Sequence, residues 1–219
     1  MSVFKSGCIR LTAAFIGLFA FTVQADVNKQ YQLLDKIQQD DQLISSAMNS
    51  GEARSGLCGR CHGSDGNSKR NFIPNLASQN AKYLINQFEQ FANGTRKNYV
   101  MSQLAGSLSL EDRVNLAVFY SNQTAKPFVG RKPREMKQTD IDLGQAEFQA
   151  KCQMCHGEEA QGWDQLPRLA SQPANYLATT LKKFKSDHRD RNQTPMSAIA
   201  KQLSDDQIDN IAMYLSTLD

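Results

Sequence analysis

Residues 58–63 read CGRCHG and residues 152–157 read CQMCHG, two C-x-x-C pairs, each followed at once by histidine. The likeness runs well beyond the motif. IPNLASQNAKYL (73–84) aligns with LPRLASQPANYL (166–177), and MSQLAGSLSLEDRVNLAVFY from Met101 aligns with MSAIAKQLSDDQIDNIAMYL from Met196. The offset drifts from 94 at the histidines to 93 at the prolines to 95 at the methionines, as small loop insertions require. The chain is therefore two copies of one unit, with too long a period and too few copies for a solenoid.

Within each unit the punctuation is helical. Ser109 with Asp112, and Ser204 with Gln207, have the spacing of capping boxes. Each opens an apolar stripe: Val114, Ala117 and Val118 in one copy, Ile208, Ile211, Ala212 and Leu215 in the other. Tyr83, Leu84, Phe88 and Phe91 share a helical face that ends at Gly94; Tyr176, Leu177, Leu181 and Phe184 repeat it behind Pro173, which suits a first helical turn. No run alternates as a strand would. Residues 28–48 form an additional amphipathic helix without a counterpart before the second motif. Gly144 and Phe148 suit packing against the final helix near Tyr214, whereas the first unit has Ser50 and Arg54 at those spacings, so its contact is expected to differ.

The N-terminus carries Lys5 and Arg10, then an apolar stretch from Leu11 to Val23 and the small-residue site V-Q-A. This reads as a signal peptide, residues 1–25, cleaved after Ala25; the stretch is shorter than the roughly 20 residues a spanning helix needs. No later run is long and apolar enough to span, so the expected location is the periplasm. The formal net charge is +3, and five basic against two acidic residues fall in 121–140, SNQTAKPFVGRKPREMKQTD, which reads as a linker. There is no extended basic face interleaved with aromatics, which excludes nucleic acid as a partner. The expected division is a helical segment 26–50, a first domain 51–121, a basic linker 122–139 and a second domain 140–219.

Of five cysteines, Cys8 leaves with the signal peptide, and Cys58, Cys61, Cys152 and Cys155 remain. Thioredoxin-type pairs need a strand-to-helix setting, which is missing, and zinc would need a fourth ligand at recognisable spacing. Covalent haem attachment needs what is present: two thiols to add to the vinyl groups and an adjacent histidine that a helical turn carries onto the iron. The cofactors expected are two covalently bound haem c groups, which also supply apolar surface that units below 100 residues lack.

His62 and His156 then each provide one axial ligand. The chain has three histidines, so only His188 remains, and both irons cannot be bis-histidine. Among the methionines, Met1 is removed, Met154 lies between its own cysteines, Met136 is in the linker and Met48 sits too close before CGRCH. Met101, in a loop, remains in the first unit, and Met196 or Met213 in the second. Met101 aligns with Met196, whereas Met213 aligns with Val118 on an apolar helical face, which assigns Met213 to the core and Met196 to the iron. His188 reads as a solvated loop residue.

Over residues 51–219 these features resemble the two-haem class I cytochromes c of the c4 type. The resemblance implies an all-α fold of two tandem class I cytochrome c domains, each wrapped around its haem. Pro74 and Pro167 would buttress the proximal side, with Tyr83 and Tyr176 near the haem. The implied function is one-electron transfer in a respiratory chain, between a membrane cytochrome bc-type complex and a haem-copper terminal oxidase, with no catalytic residues. An electron-transfer subunit of a periplasmic dehydrogenase is the main alternative, followed by a di-haem peroxidase or sulfur-compound oxidase. Association with a membrane would be peripheral. One departure stands out: the first unit has VM where the second has the more family-like PM.

Overall fold

The structure, a computed structural model, describes residues 26–128, 137–186 and 194–219. The expected signal peptide, most of the linker charge, Met136 and His188 lie outside these residues. Among the described residues the fold is all-helical, with a single isolated bridge between Trp163 and Leu166.

The expected helix 28–48 is two helices. α1 covers residues 26–37, and α2 (Asp41–Arg54) starts anew at Asp40, whose backbone is extended and whose carboxylate Oδ1 accepts the N–H groups of Gln42 and Leu43. An N-cap aspartate satisfies donors that a continuing helix would not leave free, so it interrupts the run. α3 (Gly56–His62), α4 (Ala81–Ala92), α5 (Tyr99–Gly106) and α6 (Leu110–Ser121) complete the first domain. α7 (Gln138–Lys151), α8 (Gln153–His156), α9 (Ala174–Lys185), α10 (Pro195–Ala200) and α11 (Asp205–Leu215) form the second. Both capping boxes are made, at Ser109–Asp112 and Ser204–Gln207. Pro173 is the N-cap of α9 rather than its first residue.

In each domain the first helix crosses the last, α2 over α6 and α7 over α11. A glycine sets the closeness. A Cβ on Gly144 would lie 2.1 Å from the Asn210 carbonyl oxygen and 2.9 Å from Tyr214 Cβ; one on Gly51 would lie 2.3 Å from the Asn115 oxygen and 2.6 Å from Phe119 Cβ. The first domain therefore makes the same glycine crossing, with Gly51 and not Ser50 at the contact, because one residue fewer separates it from the cysteines. What differs is the ring. Phe148 packs on Tyr214 with centroids 5.8 Å apart, and the first domain has no phenylalanine in that place.

The stripes of α6 and α11 form the two cores. Val114 and Ala117 are fully buried in one, as Ile208 and Ala212 are in the other, and each large apolar side chain so buried contributes about 1.5–3 kcal/mol. α1 packs on the first domain, where Leu34 and Ile37 join its core. Lys82 of α4 ties α1 to both domains: its Nζ lies 3.6 Å from Asp35, 3.1 Å from Asp164, and over the ring of Tyr31.

Candidate functional site

Each CxxCH segment ends a short helix at its histidine. Gly63 and Gly157 follow with φ of 84°, a left-handed turn that reverses the chain; at Gly63 a Cβ would meet the Asn67 carbonyl oxygen at 2.2 Å. That reversal carries the following loop back beneath the imidazole. His62 Nδ1 donates to the Pro74 carbonyl at 2.8 Å, and His156 Nδ1 to the Pro167 carbonyl at 3.1 Å. These carbonyls hold the two imidazoles in place. With Nδ1 committed, Nε2 is the nitrogen left to bind iron, the arrangement by which an outer partner fixes the tautomer and orientation of a metal-binding histidine. Both rings are buried, and burial holds their pKa below the ordinary histidine value, opposed by the proline carbonyl, so the neutral, ligating form dominates.

All four motif cysteines are free of disulfides. Burial raises the pKa of the Cys58 thiol and pushes that of Cys152 up to about 11. Among the described residues no three His, Cys, Asp or Glu side chains gather as a metal site. Cys58, Leu76 and Met101 border one core, and Cys152 and Leu169 the other. A half-buried cation also fits a haem: the buried Nε of Arg168 has no partner, and desolvation lowers the pKa of its guanidinium, so a carboxylate such as a haem propionate would complete it.

The candidate methionines sit in helices rather than loops. Met101 lies in the first turn of α5, where the Asn98 side chain accepts the N–H groups of Val100 at 3.1 Å and Met101 at 3.0 Å. Met196 follows Pro195 at the start of α10, whose N-cap, Thr194, makes no side-chain bond. The VM and PM sequences are thus two ways of starting the same helix: a side-chain cap on the orphan donors, or a residue with no donor and a preset φ. Both methionines are half-buried. Met213 is buried on α11, and Met154 is exposed.

Sequence reasoning missed two features. The first is a buried chain of polar groups: Gln30 Nε2 donates to Glu89 Oε1 at 2.7 Å, Arg113 Nη1 pairs with the same oxygen, and Arg113 Nη2 donates to Ala105 O of α5 at 2.9 Å. The second is the contact between domains. Gln172 Oε1 accepts from Asn75 N at 3.0 Å while its Nε2 donates to Asn75 O at 2.9 Å; Gln79 does the same to Arg168, at 2.8 and 2.9 Å. The two clasps are related by the internal repeat, and the shared SQ of the two ASQ segments is the signal that could have revealed them.

Residues 141–219 match the family model for cytochrome c. Cytochrome c4 of Azotobacter vinelandii is 31% identical over 77% of this chain and 87% of its own length. A thiosulfate dehydrogenase electron acceptor of Stutzerimonas stutzeri is 31% identical over 74% of this chain and 78% of its own. The crystal structure of reduced cytochrome c4 from Pseudomonas stutzeri superposes with a TM-score of 0.69 at 28% identity, covering 78% of this chain and 98% of that one. With a duplicated CxxCH site, two neutral buried histidines and two helical units around them, the chain belongs to the cytochrome c4 family, di-haem electron carriers with two covalently bound haem c groups.

Proposed function

We propose that the chain is a periplasmic one-electron carrier without catalytic residues of its own, with Cys58 and Cys61 holding one haem, and Cys152 and Cys155 the other. His62 with Met101, and His156 with Met196, are the proposed axial pairs. One observation carries the reading: each half of the chain supplies a histidine with Nδ1 already bonded and a methionine in the first turn of a short helix. Haem supplies the one-electron couple, and methionine ligation raises its potential relative to bis-histidine. The residues do the rest: the prolines hold the imidazoles, and α5 and α10 hold the sulfurs. Two protein ligands per iron would leave no position for a substrate, which argues for outer-sphere transfer over peroxidase or sulfur-oxidase chemistry.

The proposed division is a helical segment 26–50, a first domain 51–121, a basic linker 122–139 and a second domain 140–219; the crossing of α2 over α6, which matches that of α7 over α11, supports starting the first unit at α2. Export rests on the N-terminal sequence; among the described residues no helix is long and apolar enough to cross a membrane. The proposed partners are a cytochrome bc-type complex as donor and a haem-copper oxidase as acceptor, docking at most peripherally to the membrane. A second reading, electron acceptor of a thiosulfate dehydrogenase, is favoured by the relative of that name.

Rapid mixing of the oxidised protein with either donor tests this. Fast reduction of both haems by a quinol-fed bc-type complex, and slow reduction by thiosulfate dehydrogenase with thiosulfate, is the expected result. The reverse order selects the second reading, and turnover of peroxide by the isolated protein contradicts the carrier.

A further inference from the structure

The clasps between the domains fall on two particular peptide groups. The carbonyl of Pro74 accepts from His62 Nδ1, and the N–H of that same peptide, on Asn75, donates to Gln172 Oε1. Across the pseudo-dyad, the Pro167 carbonyl accepts from His156 Nδ1, and the N–H of that peptide, on Arg168, donates to Gln79 Oε1. Each proximal histidine is thus one peptide unit away from a glutamine of the opposite domain. Both glutamines and Asn75 are buried, and the bonds between Gln172 and Asn75 lie in the interior.

The backbone that presents the glutamines is strained alike in both copies. Ser78 and Ser171, directly before them, have φ of 53° and 60°, a region L residues with a Cβ seldom occupy. Each is pinned by the terminal helix of its own domain, Ser78 N to Tyr120 O at 3.1 Å and Ser171 N to Leu215 O at 3.2 Å. Strain repeated at equivalent positions marks a geometry that the fold holds in place.

We infer that Gln172 sets the electron donation of His62 to the first iron, and Gln79 that of His156 to the second, so that each domain tunes the potential of the other. Hydrogen bonds in series polarise one another: an N–H bonded to an amide oxygen places more negative charge on the carbonyl of its peptide. That carbonyl then draws harder on the Nδ1 proton and gives the imidazole more imidazolate character. A more basic proximal ligand stabilises the ferric state and lowers the potential. Gln79 and Gln172 are positioning residues, acting on the irons through a peptide and an imidazole.

This inference rests on His62 and His156 being the proximal ligands, which the low-spin spectrum of the wild-type holoprotein checks separately. The test is a redox titration of the full di-haem protein resolved haem by haem, together with the proton resonance of each histidine Nδ1–H in the reduced state. Gln172→Met is expected to raise the potential of the first haem and move the His62 Nδ1–H resonance upfield, with the second haem unchanged; Gln79→Met is expected to do the converse. Gln172→Glu, which keeps an acceptor at the same place, is expected to hold the first potential at or below that of the wild type. The inference is overturned if either Met variant shifts both haems equally or neither, or if Gln172→Glu raises the first potential as Met does. Equal shifts would mark a loosened interface and no directed tuning.

Discussion

Glu89 and Lys182 occupy the same turn of equivalent helices, and their surroundings have diverged completely. In the first domain Glu89 is buried with Arg113, roofed by Gln30 of α1 and linked through Arg113 to the carbonyl of Ala105 on the methionine helix. In the second domain no helix among the described residues covers this face, Ile208 stands where Arg113 does, and Lys182 pairs with Asp209 at 2.9 Å with both side chains some 40% exposed (42% and 41%). Duplication has kept the parts nearest the histidines and let the outer packing go separate ways. One copy stabilises its distal helix through a buried polar chain; the other manages without one.

The contrast is broken most forcefully at Arg113. Arg113→Met strands the Glu89 carboxylate in the interior and is expected to cost about 3–5 kcal/mol of first-domain stability, whereas Asp209→Ala in the second domain costs below about 1 kcal/mol. Denaturant unfolding followed at each haem separates the two; equal losses would remove the distinction. Next, the helix crossings are expected to respond alike: Gly51→Ala and Gly144→Ala each force backbone apart and lose about 1–3 kcal/mol in their own domain. A tolerant Gly51 would show that the crossings differ after all. Asn98→Ala removes the cap that stands in for the second domain's proline, with an expected loss of about 1 kcal/mol and easier displacement of the first haem's methionine by added imidazole. An unchanged imidazole affinity would separate the cap from the ligand.

The smallest effect concerns Asp65, where the linker leaves the first domain. Burial would raise its pKa, but Lys126 and Asn67 outweigh that and hold the carboxyl down to about 2. A depressed folded pKa contributes stability that is full above the unfolded value near 4 and fades as pH falls towards 2. Asp65→Asn should therefore lower stability at neutral pH by less than about 1 kcal/mol, since solvent screens the pair, and match the wild type below about pH 2. Acid titration of the variant against the wild type reads that convergence.

How much of this was legible varied with the range of the interaction. The repeat, the CxxCH motifs, the capping boxes and the apolar stripes are local patterns, and each appeared where the sequence placed it. The break at Asp40 was also local, an aspartate before a fresh helical run, but the continuous amphipathic stripe across it masked the cap. Gly51 was missed because a fixed offset from the cysteines does not survive a one-residue deletion. Met101 looked like a loop residue because α5 is short and its cap, Asn98, sits in a turn-prone run. The glutamine clasps and the Gln30–Glu89–Arg113 chain join residues 24 to 97 positions apart, and no periodicity encodes such pairings.

Methionine as well as histidine is proposed at both irons. Low-temperature spectra of the oxidised holoprotein, recorded for the wild type, Met101→Ala and Met196→Ala, test that directly. The expected result is two low-spin haems, each with a methionine-to-iron charge-transfer band, and loss of one band per variant with the other intact. A high-spin haem in the wild type, or a first-haem band that survives Met101→Ala, would contradict it.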